Sequence, residues 1–97
     1  MGKELVRVHV LIGGRVQGVA YRFYAEKYAG RLGLTGWVRN LEDGRVEVLA
    51  EGSAERIADF LERLREGPRL ARIEQFDARR EPATGEFTDF RIAFLSE

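Results

Sequence analysis

The chain has 97 residues, 44% of them hydrophobic, which is enough for one core and predicts a single domain over residues 1–97. Its 16 basic and 16 acidic side chains balance, so no net field favours nucleic acid or an anionic membrane as a partner. The absence of cysteine excludes disulfides, thiolate nucleophiles and cysteine-ligated metals, and it leaves His9 as the one imidazole.

The first third of the chain is predicted to form a strand, a loop and a helix. β-branched residues alternate within residues 5–12, which is the pattern of a strand with one apolar face. The segment GGRVQGVAYR (13–22) follows, and its glycines predict a loop. Helical spacing begins at Tyr21, and Gly33 is placed to end the helix. The apolar positions of this helix are Tyr21, Tyr24, Ala25, Tyr28, Ala29 and Leu32.

The middle of the chain is predicted to form a β-hairpin and a second helix. Residues 34–40 and 45–51 flank an Asp43-Gly44 pair, which is typical of a tight turn between two strands. Ser53 is expected to cap the helix, which should end before Gly67. The apolar stripe of this helix consists of Ile57, Phe60, Leu61 and Leu64.

Two further strands are predicted in the last third. Residues 71–80 read as a strand, in which Ile73 and Phe76 break the alternation and indicate a bulge. A turn-rich segment at 82–85 precedes a period-two pattern at 90–94, which predicts a short closing strand. The aromatic residues expected in the core are Trp37, Phe60, Phe76, Phe90 and Phe94.

The order of these elements predicts an α+β fold, a ferredoxin-like βαββαβ sandwich with a short extra C-terminal strand. Right-handed crossovers would place both helices on one face of a mainly antiparallel sheet. Many unrelated functions occur on this fold, so the function has to be inferred from the site.

The glycine-bearing segment can be an anion site. A loop that ends at a helix N-terminus presents several backbone N–H donors together with the positive end of the helix dipole. Arg22 falls near the second helical position, where its guanidinium can grip a phosphate or carboxylate, while Arg15 can equally point to water. The alternative is a tight strand-to-helix connection with Arg22 as a surface charge. Asn40 can orient a water through its carboxamide, or it can be an ordinary turn residue.

Three linked motifs favour the anion site and a role for Asn40. GRVQGVAYR at 14–22, followed by GWVRN at 36–40 and DGRVEV at 43–48, resembles the acylphosphatases, the small hydrolases that cleave carboxyl phosphates. The resemblance extends over essentially the whole chain in length, element order and motif spacing.

The resemblance implies roles for particular residues. Arg22 would be the phosphate-binding arginine, and Asn40 would position the attacking water. Ala20 stands where the family often has glycine, and Tyr21 where it often has phenylalanine, so a buried Tyr21 hydroxyl would need a hydrogen-bond partner. Gly14 and Arg15 would shape the loop. The backbone amides that would cradle the phosphate are those of Val16, Gln17, Gly18, Val19, Ala20 and Tyr21.

The chemistry of acyl phosphates fits this inventory of side chains. The leaving group is a carboxylate whose conjugate acid has a pKa of about 4, so no general acid is needed at neutral pH. Phosphoryl transfer depends mostly on positioning and charge stabilisation, which amides and Arg22 can supply without metal or cofactor. Asn40 cannot act as a base, so a phosphate oxygen of the substrate would accept the proton. His9, on the strand face opposite the valines, is expected to have no catalytic role.

Two other functions stay open at this point. One is a non-catalytic module that binds phosphate or carbamoyl phosphate, as in acylphosphatase-like domains of larger proteins. The other is an RNA-binding ferredoxin-like domain, which the aliphatic, acidic strand RVEVLAE and the zero net charge disfavour. The expected partners are a small acyl phosphate, with inorganic phosphate as product and inhibitor, and neither nucleic acid nor membrane. We expect a cytoplasmic monomer, since no apolar run approaches the roughly 20 residues that span a bilayer and the N-terminus lacks the apolar core of a signal peptide.

Overall fold

A computed structural model describes residues 4–94, which form one five-stranded sheet and two helices. The strand order is β4-β1-β3-β2-β5, and every neighbouring pair is antiparallel except β2 and β5. This arrangement confirms the predicted ferredoxin-like fold. The elements are β1 (Val6–Arg15), α1 (Tyr21–Arg31), β2 (Thr35–Asn40), β3 (Val46–Gly52), α2 (Ala54–Glu66), β4 (Arg72–Glu81) and β5 (Phe90–Ile92).

The core lies between one face of the sheet and the two helices. Alternate residues of β1 are buried, as period-two patterning requires, and the buried side chains of both helices recur at helical spacing. The predicted apolar stripe of α2 is therefore confirmed, and so is that of α1 except for Tyr24, which is not among the residues that form or pack against the core. No helix within residues 4–94 is long and apolar enough to cross a membrane. The principal core residues are Val8, Val10, Ile12, Ala25, Ala29, Val38, Val46, Val48, Ile57, Phe60 and Leu64.

The two helices begin differently. The Oγ of Ser53 accepts a hydrogen bond from the Arg56 amide at 3.3 Å, which confirms the predicted N-cap of α2. Glu55 in the first turn complements the positive end of the helix dipole. Helix α1 starts after Ala20, which makes no side-chain capping bond, and its first turn contains no acidic residue. The amino end of α1 is therefore left electrostatically uncompensated by its own residues.

Strand β1 is longer than its sequence pattern indicated. The prediction that it ends at residue 12 is wrong, because Gly13, Gly14 and Arg15 continue the pairing with β4. The register shifts between Gly13 and Gly14 and passes over Glu74, which confirms the predicted bulge in β4. Gly14 has a φ of 121°, and a Cβ there would collide with the Arg72 carbonyl oxygen. Only glycine fits this close approach of two backbones.

Two of the expected core aromatic residues lie elsewhere. Phe94 is 85% exposed, because β5 ends at Ile92 and its ladder with β2 ends at the bond from the Ala93 amide to the Val38 carbonyl. Trp37 lies on the sheet face away from the core, half-buried under the Arg39 guanidinium, since its neighbours Gly36 and Val38 take the buried positions of β2. Phe60 is buried, and Phe76 and Phe90 pack partly buried against the core, as predicted.

Glu51 fastens the connection between β4 and β5 to the sheet. Its buried carboxylate accepts hydrogen bonds from the Arg7 guanidinium at 2.7 Å and from the Thr84 and Gly85 amides at 2.9 and 3.0 Å. Burial alone would raise the pKa of Glu51, but these donors together hold it below its ordinary value. The ionised form therefore stabilises the fold.

We expect Glu51→Gln to lower the free energy of unfolding by about 1–3 kcal/mol at pH 7, because Arg7 and the two amides lose a charged acceptor. A lowered folded-state pKa means that the contribution is present above the unfolded pKa of about 4.3 and is lost as the pH falls through the folded value. Urea denaturation at pH 7 and pH 3.5 should show the difference from wild type shrinking in acid. The exposed Glu62→Gln is the control, and a pH-independent difference for Glu51→Gln would contradict this account.

Candidate active site

Residues 16–20, which we call the cradle loop, join β1 to α1 in an unusual backbone conformation. Within this loop φ is positive at Gly18 (76°) and Ala20 (64°) and not at the residue that precedes each of them. Alternation of this kind turns successive N–H groups toward one side of the chain, which makes an anion-binding concavity. Ala20 is the one described residue other than glycine with a positive φ, which costs an alanine roughly 1–2 kcal/mol.

The amides of residues 16–21 donate no hydrogen bond to any other described residue. The first backbone bond of α1 runs from the Tyr24 amide to the Ala20 carbonyl at 3.0 Å, so the preceding amides have no helical acceptor. Amides that lack an acceptor within the protein take one from water or from a ligand. These six donors are available to a ligand.

Side chains hold the cradle loop in place from beneath. Val16, Val19 and Tyr21 are buried in the core. The Tyr21 hydroxyl donates to the Leu64 carbonyl at 2.6 Å, which supplies the partner that a buried hydroxyl requires and links the start of α1 to α2. Burial raises the pKa of Tyr21 far above its ordinary value, so the hydroxyl stays protonated as a donor. The loop is therefore rigidly anchored while its amides stay uncommitted.

Arg22 occupies the second position of α1, the helix that begins directly after the cradle loop. Its side chain is half-buried, and it has neither an ion pair nor a hydrogen bond within residues 4–94. Most other arginines of this chain contact a carboxylate, a carbonyl or an aromatic ring. An arginine without a partner at an uncapped helix N-terminus adds a full positive charge where the dipole is already positive.

Asn40 is the last residue of β2 and lies opposite Val46 of β3, which in turn lies opposite Ile12 of β1. Because alternate residues share a face, its side chain is on the same side of the sheet as Val38, the side that carries the helices. The Oδ1 atom is buried and accepts no hydrogen bond from any residue that the structure describes. Such an atom calls for a donor from water or a ligand.

Gln17 joins the cradle loop to the turn that follows Asn40. Its Nε2 donates to the carbonyl oxygens of Leu41 and Arg45, both at 2.9 Å. Leu41 directly follows Asn40, and Arg45 directly precedes β3. Sequence reasoning assigned only the backbone amide of Gln17, and a single sequence carries no signal for acceptors 24 and 28 residues away.

The structure therefore brings the cradle amides, Arg22 and Asn40 to one end of the sheet. Gly14 and Arg15 lie just outside the loop, in paired strand. His9 is on the opposite face of β1, where its Nε2 lies 2.6 Å from Glu47 Oε2. Burial would raise the pKa of Glu47, but hydrogen bonds with His9 and Arg39 lower it. No three metal-ligating side chains are grouped within the described part of the chain.

Comparison with known proteins identifies the family to which this chain belongs. The acylphosphatase family model matches residues 8–92. An acylphosphatase of Methylococcus capsulatus is 58% identical over 86 residues, covering 89% of this chain and 94% of that protein. The crystal structure of acylphosphatase from Bacillus subtilis superposes with a TM-score of 0.88 at 31% identity, covering 91% of this chain and 98% of that one. Full-length HypF in its phosphate- and nucleotide-bound form superposes with a TM-score of 0.87 at 28% identity, over 96% of this chain but 12% of HypF.

These comparisons agree with the fold described above. The class is a small ferredoxin-like α+β domain whose loop amides before the first helix donate to no other described residue. The chain belongs to the acylphosphatase family, and it is a hydrolase of acyl phosphates. The small acyl phosphate and inorganic phosphate expected from the sequence are thereby its substrate and product.

We expect Ala20→Gly to raise the free energy of unfolding by about 0.5–1 kcal/mol. Relief of the left-handed alanine outweighs the entropy that glycine adds to the unfolded chain. The matched control is Ala58→Gly in the exposed interior of α2, which should lower the same quantity by about 1 kcal/mol. Urea denaturation of both variants measures the contrast, and two changes of the same sign would contradict the strain assigned to Ala20.

Proposed function

We propose that this acylphosphatase binds the phosphoryl group of its substrate on the amides of residues 16–21 and the Arg22 guanidinium, while Asn40 orients the attacking water. One observation carries the proposal. Six amides that donate to no other described residue lie beside Arg22, which has no ion pair or hydrogen bond within residues 4–94, and Gln17 ties their loop to the turn that follows Asn40. A phosphate would provide acceptors for the amides and a counter-charge for the arginine, and a water would provide a donor for the Asn40 Oδ1.

Binding follows from charge and geometry. The phosphoryl group carries negative charge on its equatorial oxygens, which spreads further in the transition state. Uncommitted amides and the uncapped end of α1 provide fixed partial positive charges, and Arg22 adds a bidentate charged donor. Because these dipoles are held by the buried side chains of Val16, Val19 and Tyr21, they need little reorganisation during the reaction. We propose that this set supplies the electrostatic stabilisation without a metal ion.

Asn40 orients the attacking water in this mechanism. Its buried Oδ1 accepts one O–H of the water, which directs an oxygen lone pair toward phosphorus on the side opposite the leaving carboxylate. The water oxygen forms the new P–O bond while the P–O bond to the acyl group breaks. Both water protons end on the phosphate, one of them transferred to a phosphoryl oxygen, and the acyl group leaves as a carboxylate.

No general acid is required by this scheme. A carboxylate leaving group with a conjugate-acid pKa of about 4 departs unprotonated at neutral pH. His9, the one imidazole, lies across the sheet against Glu47 and is unused. The same argument predicts selectivity, since a phosphate ester that releases a more basic alkoxide or phenolate would depart poorly here.

We further propose that the enzyme acts as a monomer in the cytoplasm, with no membrane or nucleic acid as partner. The cradle amides, Arg22 and Asn40 all come from one chain, which supports activity without a second copy. Inorganic phosphate, which shares the charges of the substrate's phosphoryl group, should inhibit competitively. Size-exclusion chromatography across the assay concentrations tests whether the enzyme is a monomer.

We expect Arg22→Ala to lower kcat/KM for benzoyl phosphate by at least about 10²-fold, because a charge-assisted bidentate contact to the phosphoryl group is lost. The inhibition constant for inorganic phosphate should rise as well. Assays with EDTA test turnover without metal, and p-nitrophenyl phosphate serves as the counter-substrate. Arg15→Ala removes the same charge from an exposed position nearby and is the matched control. Equal losses in the two variants would refute a specific contact by Arg22.

We expect Asn40→Ala to lower kcat by at least about 10²-fold while the inhibition constant for phosphate changes little, because the residue acts on water rather than on phosphate. Its free energy of unfolding should be equal to wild type or higher, since the variant removes a buried oxygen that accepts no hydrogen bond. Near-normal kcat in Asn40→Ala would refute the role assigned to this side chain. A substantial loss of stability would show that the oxygen has a structural partner.

A further inference from the structure

The side chain of Gln17 has a second role, apart from its backbone amide. Its Nε2 donates two hydrogen bonds of 2.9 Å to the turn between β2 and β3. We propose that Gln17 is a positioning residue, which sets the distance between the phosphate on the cradle loop and the water on Asn40. This inference rests on the roles proposed above for the loop and for Asn40.

The two acceptors are placed where they control Asn40. The Leu41 carbonyl is separated from Asn40 by one peptide link, and the Arg45 carbonyl also accepts from the Leu41 amide at 2.8 Å. This bond closes the turn between Leu41 and Arg45. Gln17 donates to the carbonyl oxygens of both of these residues at once. A carboxamide nitrogen with two protons suits two carbonyl acceptors, and it uses its whole donor capacity.

The other contacts of the site do not duplicate this link. Val16, Val19 and Tyr21 fix the cradle loop to the core, and the bond from the Gly44 amide to the Leu41 carbonyl belongs to the turn alone. Within the described residues, Gln17 makes the side-chain hydrogen bonds that connect the cradle loop to this turn. Loss of the link should leave each half folded and change their relative position.

Relative position is what in-line attack depends on. The attacking oxygen must lie about 3–3.5 Å from phosphorus, and a displacement of about 1 Å can cost 10²-fold in rate. Phosphate binding needs only the cradle and Arg22, whereas turnover also needs the water at the correct angle. Loss of the two Gln17 side-chain hydrogen bonds should therefore lower kcat and leave the affinity for phosphate nearly unchanged.

The test is a double-mutant cycle between Gln17→Met and Asn40→Ala. Methionine keeps the length and neutrality of glutamine and removes both donors. We expect Gln17→Met to lower kcat for benzoyl phosphate by about 10- to 100-fold. The inhibition constant for inorganic phosphate should change by less than about threefold. In the Asn40→Ala background the same change should lower kcat by less than about twofold, because residues that act as a unit are not additive.

Two further variants separate positioning from stability. Gln17→Asn keeps the amide group but is too short to reach both carbonyl oxygens, so we expect the same kinetics as for Gln17→Met. If Gln17→Met does not fold, Gln17→Asn takes its place in the cycle. Ser53→Ala removes the N-cap of α2 and should lower the free energy of unfolding without changing kcat. A kcat that falls in Ser53→Ala as it does in Gln17→Met would overturn the proposal.

The remaining outcomes distinguish this inference from the mechanism beneath it. Unchanged kcat in Gln17→Met beside an impaired Asn40→Ala overturns the inference and leaves the role of Asn40 intact. An equal loss of kcat in both backgrounds, or a proportional weakening of phosphate binding, assigns Gln17 to the cradle and also overturns it. Normal kcat in Asn40→Ala alone refutes the mechanism itself, and the positioning role falls with it.

Discussion

The proposed site depends on backbone amides that donate no hydrogen bond to any other described residue. The six N–H groups of residues 16–21 lie on the cradle loop and on the first residue of α1, where buried side chains fix the backbone. Helix α1 has neither a capping side chain nor an acid in its first turn. Helix α2, with Ser53 and Glu55, shows that the same chain caps a helix where stability is the only requirement. The difference between the two helix ends is therefore specific to the site, and an anion is the ligand that would satisfy α1.

The topology explains why Asn40 is near these amides although it is about 20 residues away in the sequence. Strands β1 and β2 pair with the two sides of β3, and both are antiparallel to it. The C-terminal ends of β1 and β2 therefore lie at the same end of the sheet. The loop that leaves β1 enters the helix layer there, and Asn40 faces that layer because it shares the parity of Val38. The ferredoxin-like order thus brings Asn40 and the cradle loop to the same end of the sheet without any dedicated insertion.

Most of the fold could be predicted from periodicity and turn chemistry. Alternation in β1, helical spacing after Tyr21 and the Asp43-Gly44 turn each describe local structure, and each is confirmed. The errors arise where non-local pairing decides. Residues 13–15 extend β1 because β4 pairs with them, and Phe94 is exposed because the ladder to β2 ends at Ala93. Arg22 and Asn40 could be singled out through their motifs, whereas the Gln17 side chain could not, because its acceptors are fixed only by the fold.

The molecule separates its stabilising and its reactive polar groups along the sheet. Glu51 lies opposite Arg7 at one end of the β1–β3 ladder, and Ile12 lies opposite Val46 at the other, five pairs or roughly 17 Å away. At the first end the Glu51 carboxylate accepts hydrogen bonds from the Arg7 guanidinium and from two backbone amides, and these donors lower the pKa of Glu51. At the second end amides, a guanidinium and a carboxamide oxygen are held in place, and none of them has a hydrogen-bond partner within residues 4–94. Groups so far apart contribute to stability almost independently. Such a division lets a chain of 97 residues tolerate unsatisfied polar groups at its site, because the opposite end and the core maintain the fold.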